Sequence, residues 1–276
     1  MSEGTLAQVL AGEATWCVVT GENGPVLASM PPKSVGHVIM DPPYSEHVHG
    51  KSRAGARKVP LSGRGGEVKR CDLARRVDLG FASITGDEIE TMAGHCERLA
   101  TRWSLAFSDV ESCHLWRGAF TSAGLDFCRT GAWIKVGATP QFTGDRPAAG
   151  FEAITIVHPK GKKRWNGGGS HAVWAEPIAL NRGGNGSRPD HPTVKPTPLL
   201  ETLVSLFTDP GDLILDPYAG SGTTGVAALR LGRRCIMVER EPKWAELARE
   251  RCRAEESGST LRARQAGQVP MFGGGV

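Results

Sequence analysis

The chain lacks the cysteine pattern and the long apolar runs that mark several classes of protein. Its seven cysteines include no C-x-x-C pair, so the sequence predicts neither a metal site of the zinc type nor a disulfide framework. No apolar run approaches the ~18 residues of a membrane span, and the start lacks the basic-then-apolar pattern of a secretion signal. We therefore expect a soluble cytoplasmic protein with reduced thiols.

Net charge is also small, since 33 lysines and arginines are balanced by 29 acidic residues. The basic excess lies in two irregular, glycine-containing stretches. Residues 45–80 contain nine basic and four acidic residues, and residues 160–188 contain six basic residues and one acidic residue. We expect the first stretch to be mobile and both stretches to face a polyanionic partner.

Apolar segments of strand and helix character alternate along the rest of the chain. The capping box Thr85-x-x-Glu88 predicts a helix start, and strands are predicted at 35–40, 103–107, 132–136 and 151–157. From residue 213 onward the order is strand, glycine turn, helix, strand, helix, which is typical of half a doubly wound nucleotide-binding unit. The start of the chain is predicted to be irregular. We interpret residues 1–276 as one α/β domain.

Two of these strands end in similar motifs. The strand 35–40 runs into Asp41-Pro42-Pro43-Tyr44, and the strand 213–216 runs into Asp216-Pro217-Tyr218. The only two tyrosines of the chain close these motifs. Because prolines cannot continue a central strand, each strand is predicted to stop where its acidic residue begins a functional loop.

The second motif predicts an adenosine site. A glycine turn after a strand allows close approach of the backbone to a ligand, and an acid at the end of the next strand, here Glu239, can bind ribose hydroxyls. The turn is not G-x-G-x-x-G and has no P-loop lysine. A nucleoside that carries a positive centre therefore fits better than a pyrophosphate, because the carboxylate of Asp216 would lie beside it.

The first motif suits chemistry on an exocyclic amine. The lone pair of such a nitrogen is delocalised into the base, which leaves the amine weakly nucleophilic. Two acceptors for its hydrogens, the carboxylate of Asp41 and the carbonyl of Pro42, would relocalise the lone pair, and Tyr44 could stack on an extruded base. The restricted φ of proline fixes the direction of that carbonyl.

With these motifs in this order, the chain resembles the β class of DNA amino-methyltransferases, in which the catalytic tetrad precedes the cofactor loop. The resemblance runs from about residue 35 to 239 and includes His191-Pro-Thr-Val-Lys-Pro196 between the two motifs. It implies a Rossmann-like S-adenosylmethionine-dependent methyltransferase fold. That fold has a mostly parallel seven-stranded sheet, helices on both faces and a permuted motif order.

The resemblance also implies roles for individual residues. Catalysis is assigned to Asp41, Pro42, Pro43 and Tyr44. S-adenosyl-L-methionine is assigned to Asp216, Ala219, Gly220, Ser221, Gly222, Thr223, Thr224 and Glu239, with Thr193 and Lys195 completing the methionine pocket. Double-stranded DNA is the implied partner, and residues 160–189 form a short candidate target-recognition region. The candidate DNA contacts are Lys51, Arg53, Arg57, Lys58, Lys162, Lys163, Arg164 and Arg182.

The implied reaction is base flipping followed by site-specific methylation of adenine N6, because a tetrad that begins with Asp is more often found with adenine. Cytosine N4 is the alternative. Methylation of cytosine C5 is disfavoured, since that reaction needs an attacking thiolate, usually in a Pro-Cys pair, and no cysteine here follows a proline. A different kind of function is also open: the protein could be a DNA-binding regulator that retains the fold but has no catalytic activity.

Two further partners are suggested. Members of the class are often homodimers, which is an analogy only. The peptide Gln268-Val-Pro-Met-Phe272 resembles the short segment with which bacterial proteins dock on the sliding clamp.

Overall fold

The structure, a computed structural model, describes residues 2–44, 83–138, 147–178 and 194–258. The strands in these ranges are β1 (Trp16–Thr20), β2 (His37–Met40), β3 (Ser104–Ser108), β4 (Asp126–Val136), β5 (Phe151–His158), β6 (Val173–Pro177), β7 (Leu213–Asp216) and β8 (Arg234–Glu239). The helices are α1 (Leu6–Ala11), α2 (Asn23–Ser29), α3 (Gly86–Leu99), α4 (Cys113–Ser122), α5 (Thr197–Phe207), α6 (Thr223–Arg230) and α7 (Pro242–Glu256).

All eight strands form one sheet in the order β1-β8-β7-β2-β3-β5-β4-β6. Seven strands point the same way, and β5 runs antiparallel to its neighbours β3 and β4. We call the edge where the seven parallel strands end the carboxyl edge, and the opposite one the amino edge. The antiparallel β5 therefore begins at the carboxyl edge and ends at the amino edge.

Helices cover both faces of the sheet, as predicted. On one face α5, α6 and α7 pack on side chains such as Ile39 and Ile214. On the other face α1 to α4 pack on the alternate residues of the same strands, such as Val38 and Leu215. The central strands β2 and β7 are therefore buried on both sides, which explains why they read as continuous apolar runs in the sequence.

The fold class predicted from the sequence is confirmed, but the sheet has eight strands instead of seven. The additional strand β6 pairs in parallel with β4 and lies in the stretch 160–188 that was predicted to be irregular. Its burial is confined to one side, because Trp174 is buried while Val173 and Ala175 are exposed. An edge strand of five residues with a terminal proline carries too weak an apolar pattern to be recognised from sequence.

The prediction of an irregular start was also wrong. Helix α1 occupies residues 6–11 and has a complete capping box between Thr5 and Gln8. Helix α2 follows β1, and only Leu27 of this helix is buried. Helices this short have few core-facing positions, so their periodicity is poorly resolved. Among the helices of the described ranges, none has the length and apolar character needed to cross a lipid bilayer.

Candidate active site at the carboxyl edge

The two acidic motifs lie side by side at the carboxyl edge. Strands β2 and β7 are parallel neighbours, with His37 opposite Ile214 and Val38 opposite Leu215. Asp216 ends β7 one residue beyond this pairing, and Asp41 directly follows the end of β2, so the two acidic residues lie at neighbouring strand ends. The negative charge of Asp41 contributes to raising the pKa of Asp216. The structure thus brings together motifs that are 175 residues apart in sequence.

Asp41 is part of a compact ionic cluster. The Lys195 ammonium lies 2.6 Å from Asp41 Oδ2, 3.1 Å from the hydroxyl of Tyr44 and 3.3 Å from Glu152 Oε2. The Tyr44 hydroxyl donates a hydrogen bond of 2.5 Å to Glu152 Oε2. Lys135 lies 2.6 Å from the other oxygen of Glu152. The negative charges of the two carboxylates in the cluster are thus balanced by the positive charges of its two lysines.

Three aromatic rings lie near the Lys195 ammonium. Lys195 Nζ lies between 5.2 and 5.9 Å from the ring centroids of Tyr44, Phe107 and Trp133. Burial alone would lower the pKa of Lys195, but the charges of Asp41 and Glu152 outweigh it and raise the pKa. Lys195 is therefore a permanent cation in this site.

Burial raises the pKa of Asp41, and the neighbouring Lys195 charge opposes this shift. Only one oxygen of Asp41 is engaged. Oδ2 contacts Lys195, whereas Oδ1 is buried and has no hydrogen-bond partner among the described residues. A buried acceptor without a donor is costly, and such an atom is often completed by a ligand. The Asp41 carboxylate can thus accept one further N–H.

The glycine turn after β7 is held in place by hydrogen bonds from its own backbone. Tyr218 N–H donates to Asp216 Oδ1 at 3.0 Å, and Gly220 N–H donates to Glu239 Oε2 at 2.8 Å. Gly222 has a φ of +77°, and a Cβ there would lie 2.7 Å from the Cβ of Ala248 in α7. Only glycine fits this position. The turn therefore links the ends of β7 and β8 into one rigid edge.

Arg251 supports this turn and was not identified from the sequence. Its Nη1 donates to the Ser221 carbonyl at 2.7 Å, to the Ser221 hydroxyl at 2.8 Å and to the Thr223 hydroxyl at 3.1 Å. An arginine one helix further along the chain gives no local signal of such a contact. Arg251 therefore holds the glycine turn in place from helix α7.

We expect replacement of Arg251 by alanine to weaken binding of S-adenosylmethionine about tenfold, because loss of charge-assisted hydrogen bonds costs ~1.5–3 kcal/mol and loosens the turn. Isothermal titration calorimetry would measure the change. Arg230→Ala is a matched control, since Arg230 forms ion pairs with Glu201 and Glu255 outside the turn. Equal affinities of both variants would contradict the role of Arg251.

Three predicted DNA contacts lie at the amino edge of the sheet. Lys162, Lys163 and Arg164 follow the end of β5, which is the amino edge. Lys163 pairs with Asp126 at the start of β4 at 2.9 Å, and Arg164 pairs with Asp209 at 3.1 Å. The antiparallel direction of β5 was not predicted, and it separates these residues from Asp41 by the length of a strand. The geometry does not support their assignment to DNA held at the carboxyl edge.

Other predicted residues lie outside the described ranges. These are Thr193, Lys51, Arg53, Arg57, Lys58, Arg182 and the peptide Gln268–Phe272, with the whole stretch 45–80 and residues 179–189 of the candidate recognition region. Their roles stay predictions. Lys195 was assigned to the methionine pocket, and its described contacts are with the reaction half.

Glu152 and Lys135 are functional candidates that the sequence interpretation missed. Glu152 lies in β5, whose other residues from Ala153 to Val157 are apolar or threonine, and its side chain is only 9% exposed. An acidic residue within such a strand was a usable signal, because buried carboxylates are almost always paired. The partner could not be named, since Lys195 is 43 residues away in sequence.

Comparison with known proteins shows a similarity to DNA methylases. Residues 131–250 match the family model described as DNA methylase. The Type II methyltransferase M2.DpnII of Streptococcus pneumoniae is 54% identical over 65 residues, which is 24% of this chain and 24% of the relative. The aligned segments thus span about a quarter of the length of the curated relatives it matches.

Solved structures share the fold over most of the chain. The M1.HpyAVI–SAM complex superimposes with a TM-score of 0.59 at 19% identity, covering 86% of this chain and 99% of that one. The PvuII DNA methyltransferase, which is cytosine-N4-specific, gives a TM-score of 0.62 at 14% identity, with 86% of each chain covered. Residues 131–250 are thus similar to DNA methylases, and the chain shares its fold with these solved methyltransferases.

Proposed function

We propose that this protein transfers a methyl group from S-adenosylmethionine to the exocyclic N6 amine of a flipped-out adenine within a specific DNA sequence. The observation that carries the proposal is the position of Asp41. One of its oxygens is held by Lys195, and the other is buried and has no hydrogen-bond partner among the described residues, at the strand end next to that of Asp216. A neutral amine with two hydrogens suits this free acceptor.

The residues at the ends of β7 and β8 fit the cofactor. Asp216 is buried, and its carboxylate has no cationic side chain among its hydrogen-bond partners in the described part of the chain; burial raises its pKa to about 7. A cationic ligand would remove this penalty. When bound, S-adenosylmethionine would supply an electrophilic methyl group. Asp216 would lie near its charge, the glycine turn would allow its approach, and Glu239 would accept from ribose hydroxyls.

Asp41 and the carbonyl of Pro42 would accept the two amine hydrogens and so return the lone pair to nitrogen. Tyr44 would hold the base by stacking, with its hydroxyl fixed by Glu152 and Lys195. The proton that the methylated nitrogen loses would pass to Asp41. Each step uses a group that the fold has already positioned at the carboxyl edge.

Adenine is our choice of base because the tetrad begins with aspartate, and cytosine N4 is the second candidate. Both carry an exocyclic amine that could donate to Asp41. Because the curated relatives are named Type II methyltransferases, we infer a role in DNA modification within a restriction-modification system.

The stretch 45–80 is the favoured source of phosphate contacts. The residues that flank it, Tyr44 and Thr85, lie next to the carboxyl edge at the end of β2 and the start of α3. Our proposals also include a single domain over residues 1–276, a homodimer, and clamp docking through Gln268–Phe272. Pull-down with the sliding clamp, using a chain truncated before Gln268, tests the last of these.

The decisive experiment is expression in a methylation-deficient host, with modified bases mapped by single-molecule sequencing. We expect N6-methyladenine at one short motif, and no modification with Asp41→Ala. N4-methylcytosine would support the second candidate. Binding of DNA without any methyl transfer, unchanged by Asp41→Ala, would favour a silent regulator and would overturn the proposal.

A further inference from the structure

Glu152 belongs to the ionic cluster but takes no direct part in the proposed transfer of the methyl group or the proton. It lies on β5, across the site from Asp41, and its two oxygens contact Lys135 and Lys195 and accept from Tyr44. Because the buried Glu152 carboxylate contacts three side chains at the reaction site, its role goes beyond neutralising one neighbouring charge. It connects the residue proposed to stack on the base with the one that holds Asp41.

We propose that Glu152 and Lys195 form a positioning pair, in which Glu152 anchors the Lys195 ammonium so that Lys195 holds Asp41 by one oxygen and leaves the other for the target amine. The role rests on the proposed function and deepens it. Neither residue needs to touch the reacting atoms. Both act through Asp41 and Tyr44.

The geometry of Lys195 supports the pair. An ammonium has three N–H donors; Lys195 donates to Asp41 Oδ2 and to the Tyr44 hydroxyl, and its Nζ forms an ion pair with Glu152 Oε2 at 3.3 Å. The charge of Glu152 thus attracts the remaining donor side of the ammonium away from Asp41 Oδ1. If Glu152 were absent, the third donor would be free to turn to Oδ1 and compete with the incoming amine.

The two members of the pair act on Asp41 with opposite sign. The charge of Lys195 lowers the pKa of Asp41, and the charge of Glu152 raises it. Asp41 must be ionised to accept an amine hydrogen, so the pH dependence of turnover reports on both. The titratable or charged groups around Asp41 are Lys195 before α5, Glu152 on β5, Lys135 on β4, Tyr44, Asp109 after β3 and Asp216 on β7.

The test measures kcat for DNA methylation against pH, the acid midpoint being the pH at which kcat is halved on the acidic side. Lys195→Met should move the acid midpoint upward by about one unit and lower kcat at pH 7 about 10- to 100-fold. Glu152→Gln should move it downward and lower the plateau about tenfold, since Lys195 then competes for Oδ1.

The double variant should have an acid midpoint between those of the single variants, and its loss of kcat should be smaller than the product of the two single losses. Cofactor affinity should stay within about threefold in all variants, since the pair lies in the reaction half. Glu201→Gln is the matched control, because it removes a carboxylate that pairs with Arg230 on the outer surface, and its profile should equal that of the unmodified chain.

Lys195→Arg retains the positive charge, and it serves as a second test in case Lys195→Met does not fold. Its acid midpoint should not move, while its plateau should fall because the planar group cannot direct three donors in the same way. Acid midpoints that stay fixed in Lys195→Met and Glu152→Gln, with changes only in melting temperature, would overturn the positioning role alone. Absence of transfer by the unmodified chain would overturn the proposed function and the role with it.

Discussion

Replacement of Asp41 by asparagine should lower the rate of methyl transfer by about 10²–10³-fold or more, which is the usual cost of removing one aligned transition-state partner. Asparagine has the same shape, but its amide presents donors where the carboxylate accepts. It also leaves the buried Lys195 without its closest counter-ion, which lies 2.6 Å away in the native site. Single-turnover assays with labelled S-adenosylmethionine would measure the loss.

The loss should be confined to the chemical step. Asp41 lies outside the glycine turn, so we expect the affinity for S-adenosylmethionine to change less than about threefold. Asp126→Asn is a suitable control, because this aspartate pairs with Lys163 at the amino edge and should not alter transfer. Transfer by Asp41→Asn at the native rate would show that the tetrad is not the reaction site.

Replacement of Asp216 by asparagine should weaken binding of S-adenosylmethionine about 10- to 100-fold, because it removes the negative charge that a cationic ligand would meet in a buried site. Its pH dependence should change as well. Burial raises the pKa of Asp216 to about 7, so the free protein carries it partly protonated at neutral pH. A cation stabilises the ionised form, so binding releases a proton. Native affinity should therefore rise with pH toward 8, and that of the variant should stay flat.

The stability of the ligand-free protein should show the opposite trend. The pKa of Asp216 is about 7 when folded and near 3.8 when unfolded, so the folded state binds the proton more tightly. Stability is thus lost as pH rises from about 4 to 7, by at most about 4 kcal/mol for this group. Asp216→Asn should melt higher than the native chain at pH 8 and nearly equally at pH 4. Thermal scans without ligand would measure this, and a native-like pH dependence in the variant would contradict the assignment.

The two acidic motifs could be predicted because each is defined by residues that are neighbours in the sequence. Asp41 and Asp216 each follow a continuous apolar strand, and prolines mark the point where each strand stops. The capping box at Thr85 gave the start of α3 for the same reason. Short or one-sided elements, such as α1 and β6, were missed because few of their positions are buried, so their periodicity carries little information.

The direction of β5 decided more of the site than any motif did. Because β5 runs antiparallel, its first residues bring Glu152 to the carboxyl edge, and its end takes Lys162 to Arg164 to the amino edge. Loop charge alone had suggested that these basic residues face the substrate. Periodicity reports which side of a strand is buried, but it is the same for both strand directions.

The sequence by itself determined the alternation of strands and helices, the two acidic motifs and the glycine turn, since each depends on residues close together in the chain. Only the tertiary structure placed Lys195 and Glu152 on Asp41 and Tyr44, and Arg251 beneath the turn. These contacts join segments 28 to 154 residues apart in sequence. Long side chains can reach many partners, and the partner they meet depends on strand order, which is set by the packing of the whole sheet.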